Sequence, residues 1–262
     1  MKLTFLGTGG SFGVPEVACD CRVCRSPDPR DKRRRCAVSV TCGGAVIVVD
    51  TPPDFREQCL THGVSRVDAV FYTHFHADHI MGADDLRRFN KIQQAELPIY
   101  LDDHTRDTFE AIFHYAIDKD HAPHLIRPRF SLRPCDPEDV VIGHLCIRPL
   151  TVMHGDLPIS GFLFTDNRSG KRIAYLTDCK HLPKKSHELV AGVDVLILSA
   201  LWQEWTHSSH LNVEEALVLA EKVQPKRLYL THVTHHMGTY AEVQPNLPLH
   251  ARLAYDGLTI AT

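Results

Sequence analysis

The chain has 262 residues, 44% of them hydrophobic, and a formal charge of -3. Its size allows a large core within one domain, while its charge lacks the basic footprint of a dedicated nucleic-acid binder. No apolar run approaches the roughly eighteen residues of a membrane span, the start lacks a signal-peptide pattern, and the cysteines favour reduced thiols or metal ligation over disulfides, so a cytoplasmic protein is expected.

Residues 3–6 read as a short strand leading into the glycine-rich stretch 7–15. Its glycines permit turns, and it could lie beside a site, but its spacing is not that of a phosphate-binding loop. Cys19, Cys21 and Cys24 follow closely enough to supply three corners of a tetrahedral zinc site, the fourth to come from elsewhere. Arg30, Lys32, Arg33, Arg34 and Arg35 read as a solvated basic face. Residues 37–41 and 45–50 predict a hairpin turning at Gly43 and Gly44, residues 54–62 a helix, and residues 67–73 a buried strand rich in β-formers.

That strand delivers the run from Thr73 to Met81, with a helix expected over 80–89. Its His74, His76, Asp78 and His79 fit neither a helical nor a strand period, which places them on a loop at a strand-to-helix turn. Imidazoles and carboxylates together suit zinc, manganese or iron, and an open coordination position would activate water. Strand 97–101 and helix 105–117 come next, and the segment near 104–128 could fold over a pocket as a lid, with His114, His121 and His124 as surface or lid residues. Strand 140–152 delivers His154; strands 159–165 and 172–177 form a hairpin ending at Asp178, followed by a helix. After strand 195–200, a loop carries His207 and His210, and Asn212 caps helix 213–223. Strand 226–231 then delivers His232 and His235, and a short strand 258–261 closes the chain. The second half echoes the first, Val46 to Asp50 before a helix matching Ala174 to Asp178 before a helix, which suggests two packed sheets with helices outside.

The His-x-His-x-Asp-His arrangement after a hydrophobic strand resembles the signature of the metallo-β-lactamase-fold hydrolases. The resemblance implies an αββα sandwich, two mixed β-sheets with outer helices, across residues 1–262. It implies one metal site at His74, His76 and His154, a second at Asp78, His79 and His232, and Asp178 as the bridging carboxylate. The Gly-Thr-Gly-Gly loop and Cys-x-Cys-x-x-Cys narrow it to the branch containing the cyclic phosphodiesterase of the carbon-phosphorus lyase pathway, where three such cysteines and a late histidine hold a structural zinc. His235 matches that fourth position, with His236 its rival.

The implied cofactors are two catalytic divalent metals, manganese or zinc with iron or nickel as further options, and one structural zinc. The implied reaction is hydrolysis of a small, cyclic phosphate diester. Paired metals activate water and neutralise phosphoryl charge, while Asp78 orients the attacking oxygen. His210 aligns with the proton donor of related phosphodiesterases, and His207 is the alternative. The expected partner is a small molecule, with neither nucleic acid nor membrane involved and a homodimer compatible with the fold. Two competing readings are an endonuclease maturing transfer RNA, opposed by the acidic charge and the lack of a long basic arm, and a non-enzymatic carrier of pyrroloquinoline-quinone biosynthesis, opposed by the complete ligand set.

Overall fold

The computed structural model describes residues 1–117, 126–135 and 138–262. The first half supplies strands β1 (Lys2–Gly7), β2 (Ala37–Cys42), β3 (Ala45–Val49), β4 (Ala69–Phe71), β5 (Leu97–Leu101) and β6 (Phe130–Pro134). The second supplies β7 (Val140–Ile142), β8 (Leu145–His154), β9 (Leu157–Asp166), β10 (Arg172–Leu176), β11 (Val195–Ser199), β12 (Arg227–Thr231) and β13 (Ala251–Leu253), after which β14 (Thr259–Ala261) joins the sheet of the first half. The two sheets run β14-β1-β2-β3-β4-β5-β6 and β13-β12-β11-β10-β9-β8-β7. In each, antiparallel pairing gives way to parallel pairing, from β3 onward in one and from β10 onward in the other. The echo in the sequence is therefore a repeat of topology.

Alternation along the strands sends side chains to opposite faces and so builds apolar layers. Phe5, Val38, Ile47 and Phe71 meet Phe162, Phe164, Tyr175 and Ile197 between the sheets. The other face of the first sheet, with Leu6, Val48, Tyr72 and Ile99, is covered by Phe55 and Phe109 from helices Phe55–His62 and Asp103–Ile112. Leu196, Leu198 and Leu228 on the second sheet are covered by Ala216 and Ala220 of helix Val213–Val223. This is the expected αββα sandwich. Asn212 caps that last helix as predicted, its side chain accepting from the Glu215 amide while Glu215 reaches back to the Asn212 amide.

Several elements depart from expectation for tertiary reasons. The helix predicted over 80–89 is broken into helix Ala77–Ile80, a 3-10 turn Ala83–Leu86 and helix Arg87–Gln93. Gly82 causes the break: its amide donates to the Thr51 carbonyl, and a Cβ there would meet the Pro52 carbonyl oxygen at 2.1 Å. The single strand expected over 140–152 is the hairpin β7-β8, turned at Gly143 with φ 61°. Edge strands β6 and β13 had no clear signal in the sequence.

Helix Asp103–Ile112 is part of the outer layer and not a lid, because Phe109 is fully buried against Tyr72 and Phe130. The rest of the expected lid, residues 118–125 with His121 and His124, lies outside the described residues. The basic run is also no solvated face. Arg33 is buried and donates to the Thr8 hydroxyl and the Ala254 carbonyl, while Arg30, Arg34 and Arg35 pair with Asp28, Glu57 and Asp54. Among the described residues no helix is long and apolar enough to cross a membrane.

Candidate metal centres

Parallel strands put their carboxyl ends at the same edge of a sheet, and an open α/β sheet gathers its functional groups there. Asp50 follows β3, the His74–His79 loop follows β4, Asp178 follows β10 and His232 follows β12. Asp50, Asp178 and His232 all take left-handed backbone, φ 64°, 53° and 56°, which non-glycine residues avoid unless the surroundings enforce it. Each sharp turn aims its side chain off the end of the strand. A backbone bond from Ser160 to the Thr73 carbonyl, 2.8 Å, ties the two sheets together beside these turns.

The predicted ligands converge. Donor atoms of His74, His76 and His154 lie within 4.8 Å of one another, as do those of Asp78, His79 and His232. Asp178 stands between the groups: one carboxylate oxygen is 3.2 Å from His79 Nε2, the other 3.1 Å from His232 Nε2 and 3.3 Å from His210 Nδ1. His210 thus joins the centre, also grouped with His154 and Asp178, whereas the His207 ring is one step outward, 5.1 Å from that of His210. The glycine-rich loop does lie beside the site, since a Cβ on Gly10 would come 3.3 Å from the His232 ring.

Hydrogen bonds around the centre fix which imidazole nitrogen faces inward. His154 Nδ1 donates to the Ser209 carbonyl at 2.9 Å, and His79 Nδ1 is 2.8 Å from Asp50. Asp50 also accepts from the Thr73 amide and hydroxyl, 2.8 and 2.9 Å, so it is a fully committed buried support. Its role was missed in the sequence. A single aspartate ending a strand carries no spacing that links it to a histidine 29 positions on.

Burial drives His74 and His76 below the ordinary imidazole range, leaving neutral rings whose facing nitrogens lie 2.9 Å apart. Burial also opposes charge on His79 and on Asp178, but their attraction outweighs it: Asp50 and Asp178 raise His79, while His232 and His79 hold Asp178 well below the carboxylate range. The carboxylates therefore demand positive charge at the centre, which a divalent cation meets directly. A tetrahedral ion with ligands at about 2.0–2.1 Å spaces its donors roughly 3.3 Å apart. The observed separations around Asp178, 3.1 and 3.2 Å, fit that requirement, and among the described residues neither nitrogen of buried His232 makes a well-aligned hydrogen bond, the 3.1 Å approach to Asp178 included.

A second cluster forms where the cysteine loop meets the chain beyond β12. His235 Nδ1 lies 3.3, 3.7 and 3.4 Å from the sulfurs of Cys19, Cys21 and Cys24. Zinc bonds of about 2.3 Å to sulfur and 2.0–2.1 Å to nitrogen give tetrahedral edges of roughly 3.5 Å, so this set fits zinc closely. His236 is excluded as the fourth corner, because its ring sits on the far side of His235, Nε2 to Nε2 at 3.0 Å. Glu16, 3.5 Å from His235 Nε2, supports the ligand from behind.

Fold and donor set together define a metal-dependent hydrolase of the metallo-β-lactamase fold. Residues 46–233 match the model of the beta-lactamase superfamily domain, and the chain belongs to that superfamily. Among solved structures it is similar to a new diphosphatase from the PhnP family, with TM-score 0.88, 36% identity, and coverage of 99% of this chain and 96% of that one. That similarity agrees with the branch indicated by the amino-terminal cysteines. The chain is also 35% identical to an octanoyltransferase of Porphyromonas gingivalis, across 98% of its own length, and spans about half (51%) of that longer protein. A ribonuclease Z of Archaeoglobus fulgidus is 22% identical over 89% of this chain and 87% of its own length.

Proposed function

We propose that this protein is a two-metal phosphodiesterase that hydrolyses a small, cyclic phosphate diester of the phosphoribosyl cyclic phosphate kind. His74, His76 and His154 would hold one ion, and Asp78, His79 and His232 the other, with Asp178 shared between them. Cys19, Cys21, Cys24 and His235 would hold a structural zinc. The observation that carries the reading is that Asp178 lies between two complete donor sets with His210 at its edge, 3.3 Å away. Bound there, divalent cations supply Lewis acidity that activates water and neutralises phosphoryl charge.

The chain supplies the rest. Asp78, partly open to solvent, accepts a hydrogen bond from the attacking water and orients it. Asp50 and the Ser209 carbonyl keep the His79 and His154 rings from turning. Burial pushes His210 down to about 3, so it waits as a neutral imidazole. The proton that the attacking water gives up would pass to His210, which is placed to deliver it to the departing alkoxide, so the step balances without a further acid.

Metal-reconstituted protein should hydrolyse a sugar cyclic phosphate and largely spare a monoester. His210→Ala should lose roughly a hundredfold or more on the sugar substrate and much less on a nitrophenyl diester, which needs no proton to leave. His207→Ala is the control, and a selective loss there would move the role to His207. A second reading, maturation of transfer RNA, is favoured by the ribonuclease Z relatives. Cleavage of precursor transfer RNA with no turnover of any small diester would replace the first reading with that one.

A further inference from the structure

Away from both metal centres, helices Phe55–His62 and Arg87–Gln93 on the outer face of the first sheet enclose a groove of about 650 Å³. That volume lies within the range of small-molecule clefts, roughly 300–1,000 Å³. Phe55 and Phe89 form its buried floor, their rings 6.3 Å apart. Leu60 and Ile92 stand on its walls, 64% and 50% exposed, and leave apolar surface that a ligand can cover.

The walls are also basic. Arg56, Arg88 and Lys91 line the same groove, and among the described residues none of them has a carboxylate within ion-pair distance, whereas Arg87 is paired with Asp84. Asp85 is the one acid among the described lining residues, and burial raises its carboxyl despite Arg56. The two helices run side by side in the same sense. Gly82, ahead of the second, donates to the Thr51 carbonyl, ahead of the first, and the Gln93 side chain at the end of the second bonds both the amide and the carbonyl of Val67, beyond the end of the first. Each helix carries an arginine one turn before its aliphatic residue, Arg56 before Leu60 and Arg88 before Ile92, a spacing that keeps each pair on one face. Positive charge therefore gathers toward one end of the groove and apolar surface toward the other, with Lys91 alongside.

We propose that this groove binds an unbranched aliphatic carboxylate, its head between Arg56 and Arg88 and its chain along Leu60 and Ile92. A single apolar lane, with one aliphatic residue on each wall, suits a run of methylenes. A docked helix would need anchors over two or more turns, and a nucleic-acid strand gains nothing from Leu60 and Ile92. The site stands independently of any reaction at the metals.

Calorimetric titration of the metal-loaded protein with hexanoate, octanoate and decanoate, each below its micelle threshold, should show affinity rising about threefold to fourfold per methylene, the weight of one buried CH2. Octanol should bind about tenfold more weakly than octanoate, for want of the charged head. Arg56→Gln with Arg88→Gln should erase that preference and keep the chain-length slope, while Leu60→Asn with Ile92→Asn should flatten the slope. All four side chains are exposed, so thermal midpoint and catalytic metal content should stay unchanged in both variants. Binding that keeps its slope and its charge preference in both variants, as a carboxylate ligating a metal would, overturns the proposal. So does an absence of binding. Retention on phosphatidylglycerol vesicles without uptake of free octanoate overturns it and assigns the groove to a membrane surface, and binding of a single-stranded oligonucleotide in place of the acid overturns it in favour of nucleic acid.

Discussion

Asp50 and Asp178 occupy the same place in the two halves of the fold. Each ends a strand where antiparallel pairing turns parallel, each is buried, and each has left-handed backbone. Their environments drive them in opposite directions. Burial dominates at Asp50 and raises its carboxyl, whereas at Asp178 burial is outweighed by His232 and His79 and the carboxyl is held low. His79 lies between the two, Nδ1 toward Asp50 and Nε2 toward Asp178. A repeated topology has thus delivered two carboxylates to one imidazole. Asp178 faces the imidazoles of the centre and Asp50 stands behind His79, so of two equivalent positions one is placed to ligate and the other to support a ligand.

Removing the front carboxylate should have the larger effect. Asp178→Ala takes away the group shared by both donor sets, and Lewis-acid stabilisation is worth several kcal/mol, so turnover should fall by about a thousandfold or more. Elemental analysis should show both catalytic ions diminished while the zinc of the cysteine cluster stays. Unchanged catalytic metal with unchanged turnover would remove Asp178 from the centre.

The asymmetry between these aspartates marks the limit of what the sequence discloses. His74, His76, Asp78 and His79 were legible because four candidate ligands crowd one turn, and Cys19, Cys21 and Cys24 because three do. His154, Asp178 and His232 needed the family resemblance, since each is a single residue after a strand. Asp50 fell outside both signals, its partner lying across the β3-β4 connection. Arg33 was misread within a basic run because its partners, Thr8 and Ala254, come from distant chain. The break at Gly82 likewise depends on the Pro52 carbonyl, a contact that helical periodicity does not encode.

Asp50→Asn sharpens the comparison at smaller amplitude. The amide keeps the shape of the side chain but replaces a charged acceptor with a neutral group, so His79 loses its firm hold on one tautomer. Catalytic metal affinity or activity should drop about ten- to a hundredfold, the usual range for such supports. Metal titration followed by turnover at saturating metal separates the two effects. A loss as deep as that of Asp178→Ala, unrelieved by excess metal, would make Asp50 a direct participant and erase the distinction between front and rear carboxylates.

The smallest effect on turnover should come from the cysteine cluster, which differs from the histidine centre in offering four donors to one ion. Three thiols and one imidazole would fill a tetrahedron and leave no corner for water, so a zinc ion there would contribute folding free energy and not chemistry. Burial pushes Cys24 up to about 12, which a metal must overcome for that sulfur to ligate. Cys21→Ser should therefore weaken the site through the loss of one thiolate while the histidine centre keeps its ligands. Its thermal midpoint should fall by roughly 5 to 10 °C, since each kcal/mol is worth about 2–4 °C in a chain of this size class. Turnover measured below that midpoint should stay within about threefold. The link that could carry a larger effect is short: His232 and His235 lie three residues apart, joined through Val233 to the strap from Thr8 to Gly10. If Cys21→Ser kept its zinc and its midpoint yet lost turnover, the cluster would be part of the reaction centre, and the separation of structural from catalytic metal would be wrong.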